Sequence, residues 1–391
     1  MSNALLTQRC PACKGKSHYL IDWEYSGLGD SVFNYTAELY ECHQCGLVYV
    51  ENITDEQLSL FYQGECSYFE KDHFAIDSPE NRVKYQSYHR CLVDAKLADH
   101  SVVDVGCGRG GFLLWLNQNN WKAHCVGIDV DLKSIPALNE EAKASGVSFM
   151  EGRAVALPFA DGTQSLLTYL HVLEHIRNID QLLGEAYRVL NAGGHLLIEV
   201  PDAERYQDHP IGTAFWLSIR EHIYHFTACS LVNALRRNGF EMVSVSRQSL
   251  PTPEFIYPSL MILAKKCAEP VQEQWAEKSA GLAAFVVHSK NALKAQAEKV
   301  QEIYSDYPAL TFWGCSSELF SLMPLLKFEP FTLCDSSKIK QRNHYKGIAI
   351  NDPSAITRTG ALIVAPYLHG DAIEACAIKL GWAKEDIFRL E

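Results

Sequence analysis

Residues 102–111, which read Val-Val-Asp-Val-Gly-Cys-Gly-Arg-Gly-Gly, constrain the fold of this 391-residue chain more than any other segment. β-Branched residues and an acid precede the spacing Gly-x-Gly-x-Gly, and the apolar residues 112–116 follow it. This pattern predicts a strand, a tight turn and a helix. Glycine at 106 and 108 would permit a positive φ and let a ligand approach the backbone closely. The turn is typical of nucleotide binding, but it does not by itself identify the nucleotide.

Strand and helix patterns alternate after this turn. The predicted strands cover 123–130, 147–151, 165–169, 195–200 and 240–248, and the predicted helices cover 132–145, 180–190 and 230–239. Such alternation indicates an α/β fold, a doubly wound and mostly parallel Rossmann-like sheet with helices on both faces.

Asp129 lies at the end of the predicted strand 123–130, about twenty residues after the glycine turn. A carboxylate in this position can accept hydrogen bonds from both ribose hydroxyls of an adenosine. That position fits NAD and S-adenosylmethionine equally well. The structural alternative is a strand-end acid that caps the next helix.

Two Cys-x-x-Cys pairs lie in the first fifty residues, Cys10 with Cys13 and Cys42 with Cys45. Four thiolates paired in this way can surround one tetrahedral zinc ion, and they leave no open position for substrate or water. We therefore expect a zinc-ribbon-like module with a structural ion. Buried free thiols and redox pairs are the alternatives. The chain has 13 cysteines, and an odd number without a secretion signal favours reduced thiols over a disulfide framework.

The overall composition narrows the class of protein. With 47% hydrophobic and 21% charged residues, the chain can form two or three globular domains. A net charge of -12 argues against a broad phosphate-binding face, so no nucleic-acid partner is expected. The first nine residues lack a signal-peptide core, and no apolar run approaches the ~20 residues that span a bilayer. We expect a cytoplasmic protein without a membrane segment.

The second half of the chain contains a further α/β pattern. Pro251, Pro253 and Pro258 suggest a boundary, and a charged helical stretch at 271–304 follows them. A strand ends at a small-residue turn in 309–317, with later strands predicted at 331–335 and 361–365. We predict four parts: a zinc-binding module at 1–75, a central α/β domain at 76–250, a helical connector at 251–305 and a smaller C-terminal Rossmann-like domain at 306–391.

Three segments downstream of the glycine turn separate the two cofactors. They are 151–159 (Glu-Gly-Arg-Ala-Val-Ala-Leu-Pro-Phe), 170–176 (Leu-His-Val-Leu-Glu-His-Ile) and 190–194 (Leu-Asn-Ala-Gly-Gly). In this order they resemble the class I S-adenosylmethionine-dependent methyltransferases, and the resemblance covers about 101–248. It implies that Asp104 and the glycine turn hold the methionine part of the cofactor, Asp129 the ribose, and the backbone near Arg153 the adenine edge. The implied cofactor-binding residues are Asp104, Gly106, Cys107, Gly108, Asp129, Val130, Arg153, Ala154 and His171.

Two histidine-containing segments could carry the chemistry. Residues 220–226 place His222 and His225 three positions apart beside Glu221, which could form a general base with an orienting partner near neutral pH. Packing, or formation of a lid, is the alternative for this segment. His171 to His175 also matches the H-x-x-E-H pattern of inverted zinc peptidases. That motif needs a long helix, whereas this one follows a predicted strand, so we discount it.

The three-part layout narrows the family resemblance further. Zinc cysteines, a methyltransferase core and a C-terminal Rossmann-like unit together are similar to the sugar C-methyltransferases, which act on nucleotide-activated keto-sugars. That resemblance implies His222, Glu221, His175 and Tyr68 as catalytic residues. It also implies that the C-terminal unit helps to hold a nucleotide-sugar, through the turn at 314–317 and Asp335. Ordinary strand-to-helix punctuation is the other interpretation of that turn.

The primary functional hypothesis is C-methylation of a nucleotide-activated sugar, or a related small acceptor, with a histidine as base. O-methylation of a glycan or another small molecule is the first alternative. A non-catalytic S-adenosylmethionine-binding subunit is the second, suggested by Arg153 and Ser165, where many relatives carry other residues. RNA methylation is disfavoured by the acidity of the chain.

Overall fold

The computed structural model describes residues 8–62, 78–130, 135–143, 146–209, 211–212, 214–268, 278, 281–307, 309–329 and 331–390. Tyr68, one of the predicted catalytic residues, lies outside these ranges. The strands are β1 Gln8–Arg9, β2 Lys16–Tyr25, β3 Tyr35–Cys42, β4 Val48–Val50, β5 Val102–Val105, β6 Cys125–Asp129, β7 Val147–Glu151, β8 Gln164–Leu170, β9 Leu190–Pro201, β10 Tyr224–His225, β11 Phe240–Pro251, β12 Ile256–Lys266, β13 Leu310–Trp313, β14 Thr332–Cys334, β15 His344–Tyr345, β16 Ile348–Asn351, β17 Ala361–Val364 and β18 Ile387–Arg389. The helices are α1 Asp55–Leu60, α2 Pro79–Asp94, α3 Gly111–Gln118, α4 Ile135–Ala142, α5 Ile179–Val189, α6 Phe215–Ser218, α7 Ala228–Arg237, α8 Gly281–Asp306, α9 Ser317–Leu322 and α10 Gly370–Lys379.

The N-terminal sheet is antiparallel, in the order β1-β2-β3-β4-β10. Trp23, Phe33 and Leu39 lie fully buried in its core. Its last strand comes from far along the chain, because Tyr224 pairs with Tyr49 and its neighbour in β10 pairs with Val48. The N-terminal module is therefore completed by a segment of the central domain.

The central sheet has seven strands in the order β11-β12-β9-β8-β5-β6-β7. Strands β5 to β9 run parallel, whereas β12 runs antiparallel to both of its neighbours. Apart from Asp104 and Thr168, the buried residues of β5 and β8 are apolar, as expected where helices cover a parallel sheet. The predicted Rossmann-like α/β class is confirmed. The strand order reverses between β5 and β8, and in such sheets ligands bind in the crevice at the carboxyl ends of the strands there.

Local signals explain where the helices beside this crevice begin. Gly110 precedes α3 with φ 70, a left-handed conformation that favours glycine, and the apolar run that follows is buried. Thr227 and Ser230 form a reciprocal capping box at the start of α7, an arrangement worth about 1 kcal/mol. α5 is strongly amphipathic, with Leu182 and Leu183 buried on its inner face.

The predicted boundary after residue 250 falls inside a β-hairpin of the central sheet. Pro251 pairs with Ile256, and Ser249 pairs with Pro258, so these prolines lie at the turn end of β11 and β12. Proline is tolerated at strand ends, where the missing N–H costs no ladder bond. The seven-stranded sheet consequently extends to Lys266.

The C-terminal sheet has the order β15-β16-β14-β13-β17-β18, and its strands from β16 to β18 run parallel. α8 precedes it and packs against β2 and α9, so it contacts both the first and the last module. The buried Lys290 of α8 pairs with Glu24 of β2. None of the described helices is long and apolar enough to cross a bilayer.

Candidate active site and metal centre

The glycine turn opens onto the crevice of the central sheet. Gly106 and Gly108 have φ 76 and 53, which other residues adopt only with strain. A Cβ on Gly106 would lie 2.6 Å from Cγ2 of Val172, so this glycine allows the loop after β8 to approach. A Cβ on Gly108 would meet no described atom within 4 Å, and the Gly108 N–H donates to Asp129 Oδ2 at 2.9 Å. The turn thus leaves open space beside a strand-end carboxylate, as a bound adenosine would require.

Asp104 is a buried acid at the base of this turn, with 3% of its surface exposed. Thr168 Oγ1 donates to its Oδ1 at 2.6 Å. Burial raises the pKa of Asp104 to about 7, the Thr168 hydrogen bond opposes the shift, and Asp129 adds to it. Such a carboxylate is destabilised until a cation pairs with it. Burial also raises the pKa of Cys107, which keeps that thiol neutral.

The remaining predicted cofactor contacts lie along the same edge of the sheet. Asp129 ends β6, and Val130 follows it with 55% of its surface exposed. Arg153 and Ala154 follow β7 in a turn closed by the Ala156 N–H, which donates to the Arg153 carbonyl at 2.9 Å. All four lie at or just after the carboxyl ends of β6 and β7, and β6 is the strand next to β5, which leads into the glycine turn.

His171 follows β8 and is held between two buried carboxylates. Its Nδ1 lies 3.1 Å from Glu174 Oε1, and its Nε2 lies 3.0 Å from Glu199 Oε2 and 2.9 Å from the Tyr257 hydroxyl. Burial disfavours a charge on His171, but Glu199 and Glu174 outweigh it and raise its pKa to about 10. Its φ of 57 is unusual for a residue other than glycine. The ion pairs hold His171 as a cation in this strained conformation.

The structure brings together His175 and His222, two of the predicted catalytic residues. Their ring centroids lie 4.8 Å apart in an edge-on arrangement. His175 Nδ1 lies 3.1 Å from the Glu221 carbonyl oxygen, so the backbone of Glu221 orients this ring. Burial first, and then His175 and two other histidines, holds the pKa of His222 well below its usual range. His222 is therefore neutral with a lone pair available to accept a proton, but burial also weakens it as a base, in contrast to the unshifted base near neutral pH that the sequence predicts.

Glu174 and Glu199 belong to this site, although the sequence does not single them out. Both are fully buried, and both contact His171. A signal existed for Glu199, since a carboxylate stands within the apolar strand Leu-Leu-Ile-Glu-Val and a buried acid requires a partner. Glu174 lies in the H-x-x-E-H segment, but the chain folds there into a short 3-10 turn at Leu173–His175. The long helix of a zinc peptidase is not formed by these residues.

The four N-terminal cysteines form one buried cluster. Their Sγ atoms all lie within 4.8 Å of one another, with Cys10 to Cys45 at 3.6 Å and Cys13 to Cys42 at 3.4 Å. A zinc ion with Zn–S bonds of ~2.3 Å would separate the sulfurs by about 3.8 Å, close to these values. Backbone N–H groups point at the sulfurs, including Gln44 to Cys42 at 3.3 Å. Such donors stabilise thiolates, so the residues fit a four-coordinate metal ion.

The cysteine cluster is docked against the central domain. Thr227 Oγ1 donates to the Cys45 carbonyl at 2.9 Å, and Arg237 donates to the Pro11 and Ala12 carbonyls at 3.1 and 3.0 Å. The pairing of β4 with β10 lies just after His222 in the chain. The cluster therefore braces the segment that carries His222.

Asp335, the acid near the C-terminal turn at 314–317, makes its hydrogen bonds to neighbouring parts of the same domain. Asp335 accepts hydrogen bonds from the Cys315 N–H and the Ser337 N–H at 2.8 Å each, and Lys340 Nζ lies 3.0 Å away. Gly314 has φ 98, and a Cβ there would lie 2.3 Å from Pro366. Both features brace the strand-to-helix turn, and the contact of this turn with a nucleotide-sugar stays a prediction.

A cavity of about 590 Å³ lies beside α8, near the last module. Aromatic and imidazole rings dominate its lining, namely Tyr206, Trp216, Phe285, Tyr367, His209 and His288. The Tyr206 hydroxyl lies 3.3 Å from His225 Nδ1, three residues after His222. Its volume is that of a small-molecule site.

Fold and site together define the class of the central segment. Residues 79–245 match a family model described as a methyltransferase domain. The predicted class I S-adenosylmethionine-dependent methyltransferase is thereby confirmed for this segment, and S-adenosylmethionine is supported as its cofactor. The sugar C-methyltransferase resemblance receives no support from this match.

Individual relatives are methyltransferases with varied substrates in their names. Phthiotriol/phenolphthiotriol dimycocerosates methyltransferase 1 from Mycobacterium ulcerans (strain Agy99) is 30% identical over 122 residues, which cover 31% of this chain and 45% of that protein. Methyltransferase GfsG from Streptomyces halstedii is 28% identical over 199 residues, covering 48% of this chain and 69% of that protein. Among solved structures, geranyl diphosphate C-methyltransferase from Streptomyces coelicolor A3(2) is 16% identical, covers 50% of this chain and 86% of its own, and has a TM-score of 0.38. The chain thus spans less than half of the Mycobacterium relative.

Proposed function

We propose that this protein transfers a methyl group from S-adenosylmethionine to a small sugar-like acceptor and that His222 accepts the acceptor's proton. One observation supports this most directly: residues 171–175 link the glycine turn to the histidine pair. Val172 packs against Gly106 at one end of this loop, and His175 contacts His222 at the other. A cofactor in the turn and a base at His222 would therefore share one loop.

The binding residues fit the cofactor. S-adenosylmethionine supplies a cationic sulfonium with an electrophilic methyl group. Asp104 would pair with the positive charge of the methionine part, and Asp129 would accept the ribose hydroxyls. Residues Val130, Arg153 and Ala154 would line the adenosine. Gly108 leaves the backbone free of a side chain at the point of closest approach.

The histidine pair supplies the acid–base chemistry. His222 would remove a proton either from a carbon next to a ketone or from a hydroxyl group, because a neutral imidazole can serve both. His175, oriented by the Glu221 carbonyl, would keep the His222 ring in place and is the alternative base. The protein's further contribution is to align the reactants and exclude water. Tyr68 remains a candidate on the basis of the resemblance alone.

We also propose a structural zinc ion for Cys10, Cys13, Cys42 and Cys45. The buried sulfurs and their N–H donors support it, and four thiolates leave no position for catalysis.

We propose a division of the chain into domains in which this N-terminal module, the central domain and the C-terminal unit are separate. The central domain extends through β12 in this division.

The acceptor can be identified by a screen with isotopically labelled S-adenosylmethionine. Nucleotide-activated keto-sugars would be tested in parallel with their hydroxylated counterparts, and product mass and NMR would locate the methyl group. Methylation of a carbon beside the ketone is expected. A methyl ether on the hydroxylated partner would favour O-methylation instead, and transfer to neither set would contradict the sugar acceptor.

A further inference from the structure

Glu174, His175 and His222 form a second cluster of metal-ligating side chains. One ligand atom of each lies within 4.8 Å of the others. Glu174 is fully buried, and 7% of His222 is exposed. Two imidazoles and a carboxylate are a common ligand set for zinc, cobalt, nickel and iron, and three ligands leave positions for solvent or a small molecule.

Two buried atoms in the cluster lack partners. Nδ1 of His222 and Oε2 of Glu174 accept or donate no hydrogen bond among the residues that the structure describes. Buried polar atoms are almost always paired, because desolvation without a partner is costly. A cation between these atoms would satisfy both.

Neighbouring groups already orient the side chains of the cluster as they would orient metal ligands. His175 has its Nδ1 against the Glu221 carbonyl at 3.1 Å, which leaves Nε2 free to face Glu174 Oε1 at 3.9 Å. Glu174 Oε1 is in turn held by His171 at 3.1 Å. Metal-bound histidines usually donate their second ring N–H in this way, and metal-bound carboxylates are usually hydrogen-bonded.

We propose that Glu174, His175 and His222 bind one divalent transition-metal ion and that this ion inhibits methyl transfer. A nitrogen lone pair that coordinates a metal cannot also accept a proton, so occupancy removes the base. Inhibition rests on the proposed function, whereas metal binding does not. The site is separate from the cysteine cluster in sequence and in ligand type.

Binding can be tested on the full chain with its cysteine cluster loaded with zinc. Titration with Co²⁺, followed by calorimetry and by visible absorption, should show one further equivalent without the thiolate-to-metal bands of a cysteine site. Glu174→Gln and His222→Asn should each weaken this equivalent by ~10-fold or more. His124→Gln, at an exposed histidine of the same domain, should leave it unchanged. No further equivalent, or one that survives both cluster variants, would overturn the proposal.

Inhibition requires a separate readout. With an active acceptor, Co²⁺ should reduce turnover over the concentration range that fills the site, and a weak chelator that spares the cysteine zinc should restore turnover. Binding without loss of turnover would overturn the inhibitory role. Absence of methyl transfer under all conditions would count against the proposed function, while the Co²⁺ titration would still decide the metal site.

Discussion

Asp104 shows at the scale of one residue how burial prepares a binding site. Its pKa of about 7 means that it is partly protonated near neutral pH in the unliganded protein. The folded-state pKa of Asp104 lies above the usual 3.8, so Asp104 contributes to the free energy of unfolding fully below pH 3.8. This contribution is lost as the pH rises through about 7, because the buried side chain then has to ionise. A cationic ligand reverses this penalty, since it stabilises the ionised carboxylate.

The first prediction concerns this acid. S-adenosylmethionine should bind more tightly as the pH rises from about 6 to about 8, because Asp104 then ionises. Asp104→Asn should weaken binding and flatten the pH dependence in isothermal titration calorimetry. Asp99→Asn, an exposed acid of the same domain, is the control. An Asp104→Asn variant with the parent's affinity and pH slope would remove Asp104 from the site.

The second prediction concerns Gly108. At this position the effect of backbone strain on stability can be separated from the effect of a side chain that fills the crevice. Gly108→Ala places a Cβ in the open crevice and should weaken S-adenosylmethionine binding by ~10-fold or more, about 1.4 kcal/mol. The left-handed backbone should cost about 1–2 kcal/mol of stability as well. Gly162→Ala is a matched control, since Gly162 has φ 66 and no described atom near its Cβ position. Gly162→Ala should lose similar stability but keep the parent's affinity for S-adenosylmethionine. Equal affinities of Gly108→Ala and Gly162→Ala for the cofactor would contradict its placement beside Gly108.

At the scale of elements, β10 connects the metal centre to the chemistry. The strand is only two residues long, yet it closes the N-terminal sheet directly after the loop of His222. The Ile223 N–H also donates to the Glu174 carbonyl at 2.9 Å, which ties this segment to the loop of His171 and His175. Disorder in the N-terminal sheet should therefore displace His222.

The third prediction tests this connection. Cys42→Ser should release the proposed zinc, lower Tm and reduce turnover by ~10-fold or more, because β4 no longer holds β10 in place. Metal analysis, thermal unfolding and initial rates measure the three effects. Cys376→Ser, at an exposed cysteine of α10, should change none of them. Loss of zinc with normal Tm and turnover would show that the module does not support the site.

At the scale of the whole molecule, the sequence predicts the features that are determined by the spacing of residues within one short segment. The glycine turn, the α/β alternation and the two Cys-x-x-Cys pairs each depend on short spacings, and the structure has the sheet class and the cysteine cluster that they indicate. Pro251 and Pro258 predict a boundary because proline signals a break in the chain, but proline does not show that two strand ends pair in a hairpin.

Contacts between distant segments could not be predicted in the same way. Glu174 lies beside His222 only because β9, α6 and their loops return the chain to the end of β8. The role of Glu199 as partner of His171, and the transfer of β10 into the N-terminal sheet, likewise depend on tertiary packing. The sequence indicates Glu221 as the carboxylate beside His222, whereas the structure also brings Glu174 to the two histidines.

The fourth prediction addresses the central claim that a methyl-donor site and a histidine base share the loop 171–175. The most direct measurement is the single-turnover rate of labelled methyl transfer to the acceptor found in the screen, with the affinity for S-adenosylmethionine determined on the same preparations. His222→Asn should lower the rate by ~10²-fold or more while the cofactor binds as in the parent, and His124→Gln should match the parent in both. A His222→Asn variant that transfers the methyl group at the parent's rate would contradict the account.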